Sequence, residues 1–341
     1  MEIKTLSDFD RARWDAYVDN HPEATFFHKS GWKGVLEQAF QHSGHYLYAE
    51  RQGEIVGVLP LAHVKSLIFS NSLTSLPFCE SAGVLSDSLE VKASLLAEAS
   101  RLARTLNVDF LELRHREQKQ AEWPCKSDLY VNFSREIDPD PDVNMKNIPR
   151  KQRAMVRKGI KAELQTEVDS SIDRFYDVYA YSVHSLGTPV FPKKYFKLLL
   201  NEFGDCSSIL TVTKEGQVVA SVFSFYFRDT VLPYYGGGYG LARQYKGYDF
   251  MYWQLMVDAA EKGYRVFDYG RSKVGTGSYS FKKNWGFEPK PLYYEYDLVK
   301  SENVPDINPL NPKYRIFINT WKKMPLWSTK IIGPHLIKNL S

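Results

Sequence analysis

Arg271, Lys273, Lys282 and Lys283 crowd one glycine-rich stretch, FDYGRSKVGTGSYSFKKNWGF, and Gly236, Gly237, Gly238 and Gly240 precede it in a glycine turn. Glycine lets backbone approach a ligand closely, and cations beside it hold anions. Leu232 to Phe287 therefore predicts a site for an anionic ligand. Between these clusters, Gln244-Tyr245-Lys246-Gly247-Tyr248-Asp249 reads as a turn opening a helix, where free backbone N–H groups can hold phosphate. Arg271, Lys282 and Lys283 are expected to grip phosphate oxygens, the alternative being solvation or pairing with Asp268 and Glu288.

Several chemistries are excluded. The eight histidines form no HExxH, and His42 and His45, three apart, have no third ligand nearby and read as a helix end or loop. There is no GxSxG elbow, no cysteine with an adjacent histidine, and no GxGxxG opening a helix. Cys79, Cys125 and Cys206 have neither metal spacing nor the even number of a disulfide framework, which fits a reducing compartment.

Two further basic regions stand out. Lys146, Arg150, Arg153, Arg157 and Lys161 recur every three or four residues on one helix face, with no acid between Lys146 and Lys161, so the face must meet solvent, phosphate or an acidic partner. From Ile307 to Ser341 there is again no acid, and Lys313, Arg315, Lys322, Lys323, Lys330 and Lys338 interleave with Trp321, Trp327 and aliphatic residues. This predicts short amphipathic helices broken at Pro325 and Pro334, suited either to an anionic membrane surface or to packing on the protein itself.

The positioning elements repeat. HYLYAERQGEIVGVLPLAHV around Gly53 and SILTVTKEGQVVASVFSFYF around Gly216 both read as strand, glycine turn, strand. LARTLNVDFLELR and DAAEKGYRVFDYG both end a helix and begin a strand, which makes Glu112 and Asp268 equivalent. The offsets, 163 and 156 residues, indicate a duplicated domain. At 341 residues the chain has room for two. The expected organisation is an α/β (α+β type) chain: one domain at 1–135, a linker and basic helix at 136–165, a second domain at 166–300, and a basic tail at 301–341. The predicted helices fall near 9–19, 30–40, 89–106, 170–186, 193–203 and 249–262. The predicted strands are near 45–64, 108–114, 207–213, 217–227, 230–236, 264–269 and 291–298. Hydrophobic residues at 43%, charged residues at 25% and a net charge of +4 describe an ordinary globular protein. With no secretory leader and no run of about 18 apolar residues, a cytoplasmic location is expected, with any membrane contact peripheral.

The Gln244–Asp249 turn resembles the Q/R-x-x-G-x-G/A turn of the GNAT acyltransferases, whose amides hold the coenzyme A pyrophosphate. The resemblance implies cofactor-binding roles for Gln244, Lys246, Gly247 and Tyr248. Asp249 departs from the pattern; it is a good N-cap, but its charge opposes a pyrophosphate. Together, the repeat, MKNIPRKQRAMVRKG and FDYGRSKVGTGSYSFKKNWGFEPKPL resemble the FemAB/FemX superfamily. The tail, NPKYRIFINTWKKMPLWSTKIIGPHLIKNL, is similar to that of FemAB-related proteins of exosortase/PEP-CTERM and exopolysaccharide loci.

The resemblance implies two tandem GNAT-like domains, mixed sheets flanked by helices. Its implied activity is transfer of an acyl or aminoacyl group to an envelope or exopolysaccharide precursor. The donor would be acyl-CoA or aminoacyl-tRNA, with no cofactor tightly bound; no coiled-coil arm for tRNA is evident. Implied partners are an anionic glycan or lipid-linked precursor and, through 305–341, the inner membrane face. Tyr235, Asp268 and Tyr279 are candidates to relay a proton. Gly236, Gly237, Arg271, Ser272, Lys282, Lys283, Arg153 and Arg157 are candidate substrate contacts. Two alternatives stay open: an acetyl-CoA-dependent N-acetyltransferase acting on a small amine or sugar, and a non-catalytic protein recruiting an export machine.

Overall fold

The computed structural model describes residues 1–66, 70–305 and 312–339, with side chains from 317 onward in the last segment. The chain divides into two compact units. One comprises Met1–Tyr130, Pro291–Ile307 and Lys338–Ser341; the other comprises Val131–Lys290 and Asn308–Ile337.

These units differ from the sequence boundaries at their last strands. Tyr293–Leu298, placed by sequence in the second domain, pairs antiparallel with Phe110–His115 in the first unit, Tyr293 opposite His115 and Leu298 opposite Phe110. Tyr130–Glu136 instead lies beside Val266–Lys273 in the second unit's sheet. Each half thus lends its final strand to the other unit's sheet, an exchange that local periodicity cannot encode, because both edges accept a half-buried strand equally well. The expected linker is also folded. Asp140 caps the Pro141–Asn147 helix, and Asn144 exchanges hydrogen bonds with the backbone of Asp138.

Both repeated hairpins are present, and each turns through two residues of positive φ, Gln52–Gly53 and Glu215–Gly216, the geometry that matches the twist of the flanking strands. In the first unit the second hairpin arm breaks at Pro60 into Glu54–Leu59 and Ala62–Lys65, which divides the strands into sheets of four and six. The helix Leu89–Thr105 buries Leu95, Ala99 and Ala103 against Leu47, Ala49 and Leu59.

In the second unit the same arm is one strand, Gln217–Phe227, and the adjacent Thr230–Gly238 pairs with it through a bulge that leaves Tyr234 unmatched. The expected glycine turn is therefore the end of a strand. Gly237 lies so close to the helix Asp173–Leu186 that a Cβ would come within 2.9 Å of the Val178 carbonyl oxygen and the Ser182 Cβ.

The tail forms two helices, Pro312–Lys323 and Leu326–Ile337, grouped with the second unit and packed on Asp173–Leu186. Trp321 is buried, Gly333 sits against Val190, and His184 Nε2 lies 2.9 Å from the Met324 carbonyl. Pro325 separates the helices as expected, but Pro334 does not; the second helix runs through it. The parts of the tail at 306–311 and 340–341 lie outside the described residues. Among the described residues, no helix is long and apolar enough to cross a membrane.

Gly237→Ala forces a backbone carbonyl to move. The substitution is expected to cost about 1–3 kcal/mol, read as a lower urea midpoint at unchanged slope.

Candidate active site

The second unit opens where two parallel strands part. Thr230–Gly238 and Val266–Lys273 pair only at Thr230–Val266 and Val231–Phe267, after which both continue unpaired with each other. From Leu232 onward, alternate backbone groups of the first strand face a gap instead of a ladder partner. Amides at a divergence of this kind can meet charge developing on a carbonyl oxygen.

The divergence is locked on one side. Asp268 is buried and accepts from Asn132 Nδ2 at 2.7 Å and from the Gly270 N–H at 2.8 Å, which joins its strand to the exchanged strand Tyr130–Glu136. Lys282, on the short helix Gly277–Asn284, sends its ammonium to the carbonyls of Gly270 and Arg271 at 2.9 and 3.0 Å and lies over the Phe133 ring. Asp268 and Lys282 therefore spend these contacts on holding the strand. Tyr235 is buried in an aromatic cluster with its hydroxyl 2.8 Å from that of Tyr195, and Tyr279 packs edge-on against Phe133. Ser272 is buried with its hydroxyl lacking a partner; Arg271 is half-buried and Lys283 exposed at the surface.

At the other side stands the helix Gly247–Glu261, entered through Lys246 in the left-handed conformation and carrying no side-chain cap. Its first amides have no carbonyl within the helix to bond, so the N–H groups of Gly247, Tyr248 and Asp249 take their partners from outside it. Gly247 is required there, since a Cβ would meet Val219 Cγ1 at 2.6 Å. Tyr248 Oη is 3.3 Å from Ser182 Oγ and 3.4 Å from the Gly238 carbonyl, which ties the turn to the strand end; Gln244 is exposed.

Asp249 does not face an incoming anion. Its carboxylate is buried and accepts a hydrogen bond from Gln152 Nε2 on the basic helix Arg150–Lys161, and burial pushes it up to about 6. Charge repulsion at this position is thus weaker than the sequence implied. Gln152 was not expected to matter, and no sequence signal singles it out. The basic helix packs through Val156 and Gly159 on Phe250 and leaves Arg150, Lys151, Arg157 and Lys158 exposed. Arg153 instead donates to the Lys146 and Ile148 carbonyls and fixes the bend before the helix. Among the described residues, no cluster of histidine, cysteine and carboxylate could hold a metal.

The Asp249 carboxyl binds its proton more tightly folded than unfolded, where 3.8 is the ordinary value. The native state therefore holds more protons between about pH 4 and 6, and stability is lost as pH rises through that window. Asp249→Asn is expected to gain roughly 1–3 kcal/mol at pH 8 and nothing at pH 3.5, measured by urea unfolding at both pH values.

Residues 144–283 match the family model for an acetyltransferase (GNAT) domain. No curated protein matches the chain significantly. Among solved structures, the chain is similar to FemX, with a TM-score of 0.68 at 15% identity over 93% of this chain and 100% of that one. A tandem GNAT protein from the clavulanic acid biosynthesis pathway gives 0.56 at 13% identity, over 89% of this chain and 99% of that one. The C-terminal domain of a putative lysylphosphatidylglycerol synthetase from Agrobacterium fabrum gives 0.55 at 14%, over 84% and 91%. GNAT acyltransferases consume acyl-CoA as a substrate and hold no resident cofactor. The second unit therefore carries an acetyltransferase (GNAT) domain, a domain of acyl transfer, and the chain as a whole shares the fold of FemX and the tandem GNAT protein.

Proposed function

We propose that this protein transfers an acyl group from a coenzyme A thioester to an amine or hydroxyl of an anionic, lipid-linked envelope or exopolysaccharide precursor. The observation that carries this reading is the uncapped N-terminus of Gly247–Glu261 beside the gap between Thr230–Gly238 and Val266–Lys273, with Asp249 turned into the core. The amides of Gly247, Tyr248 and Asp249 would hold the pyrophosphate, with Lys246 and the exposed cations of Arg150–Lys161 adding charge. Backbone N–H groups after Leu232 would polarise the thioester carbonyl, and the acceptor amine or hydroxyl would attack it directly, the C–S bond breaking and the acceptor's proton passing to the departing coenzyme A thiolate. No side chain among Tyr235, Asp268 and Tyr279 is needed as a base if the acceptor supplies its own.

The acceptor class draws support from the neighbour named for lysylphosphatidylglycerol synthesis and from the tail. Trp327 is 68% exposed and Ile331 61%, one helical turn apart, with Lys322 and Lys323 exposed at the end of the preceding helix. An apolar ridge flanked by lysines suits an anionic leaflet, each lysine contributing roughly 1 kcal/mol. The tail's likeness to exopolysaccharide-associated FemAB relatives supports the same placement at the inner membrane face.

Acetyl-CoA is expected to raise the melting temperature, and Lys246→Glu to abolish the shift. Stabilisation by charged tRNA and not by coenzyme A would reject the thioester donor. In co-sedimentation with phosphatidylglycerol vesicles, a Trp327→Ser, Ile331→Ser double variant should lose at least tenfold in binding. Equal partition of variant and parent would remove the membrane contact.

A further inference from the structure

The first unit contains a cavity of about 300 Å³ where its own parallel strands end their pairing. Asn71–Thr74 runs beside Phe110–His115 for three positions, Ser72–Phe110 to Thr74–Glu112, after which Leu113, Arg114 and His115 keep only their antiparallel partner strand, Tyr293–Leu298. Ser81, Gly83, Val84 and Leu85 follow the short strand, and Pro22 to His28 supply the facing wall.

Two side chains here are buried without the partners their chemistry calls for. His115 is 4% exposed, and its Nε2 has no hydrogen-bond partner among the described residues. Its Nε2 lies 3.5 Å from Glu295 Oε2, while Glu295 Oε1 accepts the backbone N–H groups of Lys119 and Gln120 at 2.6 and 2.9 Å. A carboxylate fixed that near favours the ring proton on Nε2 and the lone pair on Nδ1, which lies on the side of Gly83, where a Cβ would come within 2.2 Å of it. Burial, reinforced by Lys119, pulls the imidazole down to about 3, so the ring is a neutral acceptor. The second group is Ser81, 3% exposed, whose hydroxyl has no partner. His28 differs, because Nδ1 accepts from the Thr25 N–H at 3.0 Å and Nε2 donates to the Gly83 carbonyl at 3.0 Å.

The charges around the cavity are already paired. Lys119 bonds Glu23 at 2.9 Å, Arg116 bonds Glu80 at 2.9 Å, and Arg114 is held by Glu112 at 2.7 Å. A phosphate or carboxylate would have to compete for these cations. An uncharged ligand would not. Apolar Pro22, Ala24, Val84 and Leu85 suit the C–H face of a ring, while the neutral imidazole and free hydroxyl suit its O–H and N–H groups.

We infer that the first unit binds one uncharged sugar residue, with His115 Nδ1 accepting from a sugar O–H or amide N–H and Ser81 completing the contact. Under the proposed function this is the glycan of the acceptor, and the inference rests on that reading only for its role, not for binding.

The test uses the full chain with N-acetylglucosamine as probe and no acyl donor, so that it is independent of catalysis. Calorimetry should show binding, and in protein carrying ¹⁵N-histidine the His115 Nδ1 resonance should shift on saturation. Ser81→Ala removes only a partnerless hydroxyl, so it should keep or raise the melting temperature while weakening the sugar roughly five- to tenfold. Ala24→Phe, at the half-buried wall, should block it, and Lys246→Glu in the second unit should leave it unchanged. Binding unaffected by both first-unit variants, no binding to the parent protein, or displacement of the sugar by inorganic phosphate would each overturn the inference.

Discussion

The parting of Thr230–Gly238 from Val266–Lys273 after two paired positions is the constraint on which the site depends. Parallel strands stay together unless something holds each of them elsewhere, and here both are held. The first is bound along its whole length to Gln217–Phe227 and is drawn against Asp173–Leu186 at Gly237, which has no Cβ to keep the helix away. The second is tied to the exchanged strand by Asn132–Asp268 and to the next helix by Lys282. Buried polar contacts of this kind are costly to break singly, since the remaining partner is left unsatisfied. They make the gap a fixed feature of the fold.

This changes the meaning of the conspicuous residues. Asp268 and Lys282 have the composition of a catalytic pair and act as the lock of the strand. Arg153 looks like an anion ligand and caps the turn before its helix. Beside the gap stand backbone groups, the amides opening Gly247–Glu261 and those along the parting strand Thr230–Gly238. A site built of amides keeps its geometry across many side-chain changes, which fits the preserved fold of FemX at 15% identity.

Much of the fold was legible in the sequence because hairpins and amphipathic helices are local. Gln52–Gly53 and Glu215–Gly216 flanked by alternating apolar residues specified both hairpins. The helices found at Gly31–Phe40, Leu89–Thr105 and Lys193–Phe203 lie within one or two residues of their expected bounds. The start of Gly247–Glu261 was legible because a glycine opening a helix after basic residues is a local pattern. The basic face of Arg150–Lys161 was legible from its spacing alone.

What the sequence determined by itself was therefore the duplication, the local elements and the position of the turn that opens Gly247–Glu261. Tertiary structure alone decided three things. Strand exchange was one, because edge pairing depends on which neighbour is free and not on the strand's own pattern. The state of Asp249 was another; its carboxyl is disarmed by burial against Gln152, ninety-seven positions away in sequence. The third was the placing of Glu295 within 3.5 Å of His115, a residue far from it in sequence. Each turns on desolvation and long-range contact, and neither is written in the spacing of residues along a chain.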